Sequence, residues 1–378
     1  MRYCARCVTP DTRPNIRLDA NGICNACRSH AGRPDIDWSS REKAFQDVVT
    51  HARARSAGYD CVIPVSGGKD STWQVIKCLE YGLKPLCVTW RPPGRNALGE
   101  RNLRNLVSLG VDHIDYSINP DVERRFMLKT LERLGSTAIP MHLALFAIPL
   151  RMAERFDIPL VVWGENSAFE YGSADEAHTG FRMDHEWLRV YGVTQGTTAR
   201  DWIDTDLSER DLNPYFGPAP GALEHKKILA VFLGYYFAWD PDMTRSVAQA
   251  HGFTSRAQGA RTGYYAFADI DDDFISLHHY FKWPKFGFTR LFDNLSLEIR
   301  HGRMRRDQAV RIIAETGDQT PHADIARFCE FAKIPRQRFW SVVERFRDPL
   351  IWQKKPDGTW FIPDFLIPDW KWSAPHEI

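Results

Sequence analysis

Nothing in this chain of 378 residues reads as a membrane span: the longest apolar stretches, such as 139–152, are interrupted by His142, Pro149 and Arg151. The opening Met-Arg-Tyr-Cys has no apolar signal region, so a cytoplasmic location is expected. In that setting the eight cysteines are expected to serve mainly without disulfides. Net charge is also scarce. A formal charge of +1 gives no general drive toward nucleic acid, which is not expected as a partner. There is no internal repeat, no low-complexity tract and no G-x-G-x-x-G. The Walker loop is missing as well, because its first glycine would fall on Ile63 and its Ser or Thr on Asp70. What remains is 43% hydrophobic and 26% charged, the composition of a globular protein with room for two or three domains.

The most informative stretch is Ser66-Gly67-Gly68-Lys69-Asp70-Ser71. An apolar run, 59–65, precedes it, and Trp73, Ile76 and Leu79 follow at helical spacing up to Gly82. This is a strand, a glycine turn and a helix. The glycines let backbone approach an anion, and the helix start offers free N–H groups and partial positive charge. Lys69 adds a cation, while Ser66, Ser71 and Thr72 supply hydroxyls for phosphate or capping. Pro64 implies that the strand is already ending there. The spelling resembles the PP-loop of the ATP pyrophosphatases, which split ATP between its α and β phosphates to adenylate a carbonyl oxygen.

Four cysteines fall in the first thirty residues as two Cys-x-x-Cys pairs, Cys4 with Cys7 and Cys24 with Cys27. Two such knuckles suit a tetrahedral zinc ion, here in a structural role because all four positions are thiolates. The segment has few apolar residues and is expected to need the metal in order to fold. An iron–sulfur cluster also takes four cysteines and stays open as an alternative. A redox dithiol does not fit, since neither pair opens a helix after a strand.

Downstream, a helix is expected from about 40 to 58, strands over 86–90, 113–118 and 160–163, and helices over 101–109, 121–134 and 140–156. The alternation implies an α/β fold, a parallel sheet with helices on both faces. Ligands then gather at the carboxyl ends of the strands, around Ser66 to Ser71, the segment after Trp90 and the segment after Trp163. The last of these holds Glu165, Asn166 and Glu170; its carboxylates are candidates to hold Mg²⁺ on pyrophosphate or to orient a substrate.

Residues 173–220 are polar and too long for an ordinary connection, so a substrate-facing insertion is expected. Helices are expected over 223–238 and 243–251. The adjacent His278 and His279 would point about 100° apart on a helix and are expected to be core or hydrogen-bonding groups. Lys282 and Lys285 lie three apart and are candidates to present two cations on one face. The tail, with Trp352, Trp360, Trp370 and Trp372, reads as a helical C-terminal region with aromatic packing. The expected division is a zinc-ribbon-like module at 1–38, an ATP pyrophosphatase domain at 39–290 and the helical region at 291–378.

Taken together, Tyr3-Cys4-Ala5-Arg6-Cys7-Val8-Thr9-Pro10, the Cys24–Cys27 pair, the phosphate loop, Gly164-Glu165-Asn166 and the segment from His278 to Gly287 resemble one family. It is the N-acetyl sugar amidotransferases of bacterial O-antigen and lipopolysaccharide biosynthesis, and the resemblance spans residues 1 to about 315. It implies ATP-dependent conversion of the acetamido group of an N-acetylated, acidic sugar, free or nucleotide-linked, to an acetamidino group. Ammonia would come from a separate glutaminase subunit through a cyclase-like companion. The resemblance implies ATP, Mg²⁺ and Zn²⁺, with Ser66, Gly67, Gly68, Asp70, Ser71 and Lys282 around pyrophosphate. Lys69 would stabilise its charge, Glu165 or Glu170 would position Mg²⁺, and Lys285 would add a cation. The rival from the same superfamily is a tRNA-thiolating enzyme, which usually needs reactive cysteines near ATP. Here Cys61, Cys78, Cys87 and Cys329 read as small hydrophobes. A non-catalytic zinc-containing scaffold is the rival from another class.

Overall fold

The computed structural model describes residues 1–378 apart from 33–34, 167–179, 184–186, 189, 191 and 374–378. Five parallel strands form its centre: β1 (Cys61–Pro64), β2 (Pro85–Trp90), β3 (Asp112–Tyr116), β4 (Leu160–Trp163) and β5 (Leu229–Phe232). Their spatial order is β3-β2-β1-β4-β5, so the direction of winding reverses between β1 and β4. That reversal opens a crevice at the carboxyl ends of these two strands.

Period-two alternation sorts the strand residues onto two cores. Val62, Leu86, Val88 and Val161 face one side, with α5 (Pro120–Leu134) and α6 (Ile139–Arg155). Cys61, Ile63, Cys87, Leu160 and Val162 face the other. There they meet Phe45 of α2 (Trp38–Arg55), the helix after α1 (Asn25–Ala31), Trp73 of α3 (Lys69–Glu80) and Leu103 of α4 (Ala97–Val107). Helices therefore cover both faces, and β1, β2 and β4 are buried along their whole length, whereas the edge strand β3 leaves Asp112 and Asp115 exposed. Cys61, Cys78 and Cys87 lie in this core.

The structure corrects the long helix expected over 223–238. A short helix, Ala222–His225, breaks at Lys227, whose φ is 52°, and the chain then runs as β5 before one more helical turn, Leu233–Tyr236. The outer edge of β4 decides this. Leu229 to Phe232 pair with Leu160 to Trp163, satisfying backbone groups that a helix would have left open on the sheet.

The stretch read as a substrate-facing insertion divides where it is described: Trp187 donates to Asn166 Oδ1 at 3.1 Å, next to Glu165, while its later part packs on helices. Trp202, Leu207, Leu212 and Tyr215 are buried against α5 and α6. Lys129 of α5 holds Asp204 at 2.6 Å. This part is a buttress on one helical layer, away from the phosphate turn.

Helices Arg290–Arg300, Arg306–Thr316, His322–Ala332 and Arg336–Arg345 build a third core with the Phe274–Phe288 segment and the aromatic tail. It continues without a break across residue 290 and takes in Trp283, Trp352 and Trp370. The first residues of the chain dock on it. Thr9 Oγ1 donates to Ser296 Oγ at 2.8 Å, Thr12 Oγ1 to the Phe286 carbonyl at 2.6 Å, and Arg306 Nε to the Cys7 carbonyl at 3.0 Å. Among the described residues no helix is long and apolar enough to cross a membrane.

Candidate active site

The turn after β1 is shaped by one glycine. Gly67 has φ 85°, and a Cβ there would stand 2.5 Å from the Leu103 amide nitrogen in α4. Only glycine fits both the left-handed backbone and this approach. Gly68 caps α3, with the Ser66 hydroxyl 3.2 Å from its amide. Ser71 Oγ lies 3.1 Å from the Gly68 carbonyl and 3.4 Å from the Ser66 amide, so it braces the turn from within. Thr72 is fully buried in α3, behind the turn.

Lys69 and Asp70 open α3. Lys69 Nζ lies 2.6 and 2.7 Å from the two oxygens of Asp70 and 3.3 Å from Thr244 Oγ1. Trp239 Nε1 and Thr244 Oγ1 each donate to Asp70 Oδ1 at 3.1 Å. The rings of Trp239 and Phe267 stand 5.3 and 5.9 Å from the Lys69 ammonium. Lys69 is thus a 4% exposed cation whose charge is held by its neighbour.

This pair borders a cavity of about 200 Å³. Ser66, Gly68, Lys69 and Asp70 form one wall, Glu165 after β4 a second, and Tyr265, Phe267, Asp269, Asp271, Arg290 and Asn294 a third. Ser66 and Asp271 sit together. Burial pushes the Asp271 carboxyl up, whereas Asp269, also raised by burial, is held below the usual carboxylate range by His279 and Arg290. Asp269 Oδ2 lies 3.4 Å from Arg290 Nε. The cavity therefore offers backbone amides and cations for phosphate, aromatic faces for a base, and carboxylates as oxygen ligands of the kind Mg²⁺ takes. Among the described residues no cysteine lines it. A larger open hollow of about 930 Å³ lies around Arg151, Arg155 and Arg210, none of which borders the phosphate turn.

The candidate residues do not all converge. Ser66, Gly68, Lys69, Asp70 and Glu165 line the cavity, Gly67 and Ser71 shape the turn, and Glu170 lies outside the described residues. The expected pair of cations on one face is absent. Lys282 turns to Asp293 at 2.7 Å, one layer behind Arg290, while Lys285 donates to the Leu134 carbonyl at 2.8 Å, beside the Phe346 ring. Burial lowers both ammonium groups, with Asp293 opposing the shift at Lys282. Two buried partners on different sides outcompete a shared anion. His278 and His279 are packed inside, and His279 Nε2 stands 3.4 Å from Asp269.

Residues missed in the sequence include Asp269, Asp271, Arg290 and Asn294. Asp271 was legible only as part of an acidic run, and Arg290 carried no signal at all.

The other candidate site is intact. Ligand atoms of Cys4, Cys7, Cys24 and Cys27 all lie within 4.8 Å of one another, and all four residues are buried. Cys7 and Cys24 Sγ are 3.8 Å apart, the edge of a sulfur tetrahedron with metal–sulfur bonds of about 2.3 Å. Amides of Arg6 and Cys24 point at Cys4 Sγ at 3.4 and 3.3 Å, and the Cys27 amide points at Cys24 Sγ at 3.4 Å, as thiolates require. The Cys27 thiol is pushed up, by Cys24 first and then by Cys4 and Cys7. A bound cation would take the place of such shared protons. The donor set fits a single metal ion.

Residues 259–364 match the family described as LPS biosynthesis protein WbpG-like, C-terminal domain. Over this segment the chain is similar to the WbpG-like family. This match supports the resemblance carried by the cysteine pairs and the phosphate loop. The third wall of the cavity, from Tyr265 to Asn294, falls within the matched segment. No curated protein matches the chain. Among solved structures, NMN synthetase from Francisella tularensis aligns at 14% identity over 55% of this chain and 100% of its own, with a TM-score of 0.29. The ammonia-dependent NAD synthetase from Campylobacter jejuni aligns at 15% over 58% and 96%, with a TM-score of 0.29. The U34-tRNA thiolase from Methanococcus maripaludis, with its 4Fe-4S cluster, aligns at 10% over 88% and 89%, with a TM-score of 0.35.

Proposed function

We propose that the chain is an ATP-dependent amidotransferase of lipopolysaccharide biosynthesis, acting on the acetamido group of an N-acetylated, acidic sugar. The observation that carries this reading is the composition of one cavity, with the phosphate turn on one side and the WbpG-like segment on the other. The absence of cysteine from its lining, among the described residues, favours it over thiolation.

An amide carbonyl is a poor electrophile. In the proposed reaction its oxygen attacks the α phosphorus of ATP and pyrophosphate leaves. Ammonia then adds to the carbon, and AMP departs with the former carbonyl oxygen, leaving an acetamidino group. The Gly67–Gly68 backbone and the start of α3 hold the departing pyrophosphate, and Lys69 exchanges Asp70 for it as charge develops. Trp239 and Phe267 exclude water from the phosphates. Asp271 and Glu165 are the residues that would hold Mg²⁺, which supplies charge neutralisation on the phosphate oxygens. The four cysteines would hold zinc in a structural role. A glutaminase subunit with a cyclase-like companion is the proposed source of ammonia.

The test is AMP and pyrophosphate release from ATP and ammonium salt across a panel of N-acetylated acidic sugars and their nucleotide conjugates, read with product mass. Sugar-dependent AMP with exchange of oxygen for NH is expected. AMP release that needs tRNA and a sulfur donor would sink the proposal.

A further inference from the structure

A second, much smaller cavity borders the segment that walls the first. Asp271 lines the large cavity, and Asp272, the next residue, lines the small one together with Trp90, Met127, Thr137, Met141 and His278. Its volume is about 10 Å³, room for one water-sized molecule. None of these side chains has a part in the reaction above.

Three observations concern what fills it. Asp272 is 8% exposed, yet among the described residues it has no ion pair. Its aspartate neighbours differ: Asp273 meets Arg261 at 2.8 Å and Asp269 meets Arg290 at 3.4 Å. Thr137 is 1% exposed, and its hydroxyl finds no hydrogen-bond partner in the protein. Among the described residues no Lys or Arg lines the cavity, and burial holds His278 well below its ordinary pKa, so its ring is neutral. Burial also pushes the Asp272 carboxyl up to about 7, Asp271 and Asp273 add to the rise, and the Phe274 amide and Arg261 only partly oppose it.

The site is held rigidly. The Phe274 amide donates to Asp272 Oδ1 at 3.0 Å and the Asp273 amide to the Gly94 carbonyl at 2.8 Å. A Cβ on Gly94 would lie 2.2 Å from Asp272 Oδ1, so the loop after β2 closes on this carboxyl. Trp90, the last residue of β2, is fixed by a 2.7 Å hydrogen bond from its Nε1 to Glu123.

We propose that this small cavity binds ammonium, with Asp272 carrying its charge and the Thr137 hydroxyl accepting an N–H. A carboxylate, a hydroxyl, a neutral imidazole and an indole ring together match a small cation with four donors. The proposal rests on the amidotransferase reading for the choice of ammonium, and it places the nitrogen donor one residue from the wall of the reacting cavity.

The first arm of the test needs no turnover. Thermal midpoints of the full chain are compared in ammonium, potassium and sodium chloride at equal ionic strength. A rise specific to ammonium is expected, and it should vanish in Asp272→Asn and shrink in Thr137→Val, which serves if the first variant fails to fold. Equal midpoints in the three salts, an equal rise with potassium, or an ammonium shift surviving both variants would each overturn the site. The second arm uses the sugar identified above. Asp272→Asn should raise KM for ammonium about tenfold or more, while sugar-dependent exchange of pyrophosphate into ATP stays at the native rate. An unchanged ammonium KM, or loss of the exchange together with it, would count against the site. Failure of the amidotransferase reading alone would leave the first arm standing.

Discussion

Arg13 Nε donates to Asp293 Oδ1 at 2.6 Å, and the other oxygen of that carboxylate takes Lys282 Nζ at 2.7 Å. Asp293 has a side chain only 2% exposed and also faces Arg290 at 3.8 Å, so a buried acid ties the cysteine-bearing module to the cavity wall. Burial pushes its carboxyl up, but Lys282 and Arg13 hold it below the usual range. Arg13→Ala should cost about 2 kcal/mol in chemical denaturation, with the four cysteines and their metal content unchanged. An unaltered midpoint would show that Lys282 and Arg290 suffice.

The turn at Gly67 allows no side chain. Gly67→Ala meets both a φ of 85° and backbone atoms of α4. ATP binding by calorimetry should fall below detection while circular dichroism stays near native. Native affinity would mean that α4 can move aside.

Lys69 has its charge balanced by Asp70 inside the cavity wall. Lys69→Ala should lower AMP formation roughly a hundredfold or more and preserve the fold. AMP production at the native rate would remove Lys69 from the reaction.

For the four-cysteine site, Cys27→Ser should abolish bound metal, measured by elemental analysis. The loss should loosen the contacts of Thr9, Thr12 and Arg13, seen as proteolysis within the first thirty residues. Zinc at one equivalent in the native protein is the expected content; iron with acid-labile sulfide would replace the zinc assignment by a cluster.

Glu123 gives a pH dependence. Burial pushes its folded carboxyl from 4.5 up to about 8, against the hydrogen bond from Trp90. Below pH 4.5 both folded and unfolded forms hold the proton and its stabilising contribution is complete. As pH rises toward 8 only the folded form keeps it, and stability falls by roughly 1.4 kcal/mol per pH unit. Glu123→Gln removes that slope, so the variant should gain on the native protein in urea melts as pH rises from 5 to 8. A constant difference would show that Glu123 is already ionised in the fold.

Much of this was legible because chemistry and pattern coincide in short stretches. Leu160 to Trp163 is a strand bounded as its apolar run suggests, and two Cys-x-x-Cys pairs bring four sulfurs together whatever lies between them. β5 was hidden because Leu229 to Phe232 is a run of four apolar residues, equally good as a buried helical turn until β4 offers an edge. Lys282 and Lys285 misled for the opposite reason. Their spacing is helical, but two separate buried partners, Asp293 and the Leu134 carbonyl, decide where each goes. The pairing of Arg13 with Asp293 joins residues with no local relation, and no periodicity announces it.

The ring of Tyr3 meets Phe292 at 6.4 Å and Phe365 at 6.2 Å, and Phe365 in turn meets Trp370 at 4.9 Å. The chain therefore closes its third core with its first strand-like residues and its aromatic tail at once. On the ribosome, the sheet and its phosphate turn can assemble while Tyr3 and Phe292 still lack their cover. That cover arrives only after residue 360 has emerged. The cavity wall supplied by Arg290 and Asn294 flanks Phe292 on one helix, so during synthesis its backing is complete only once Phe365 has emerged.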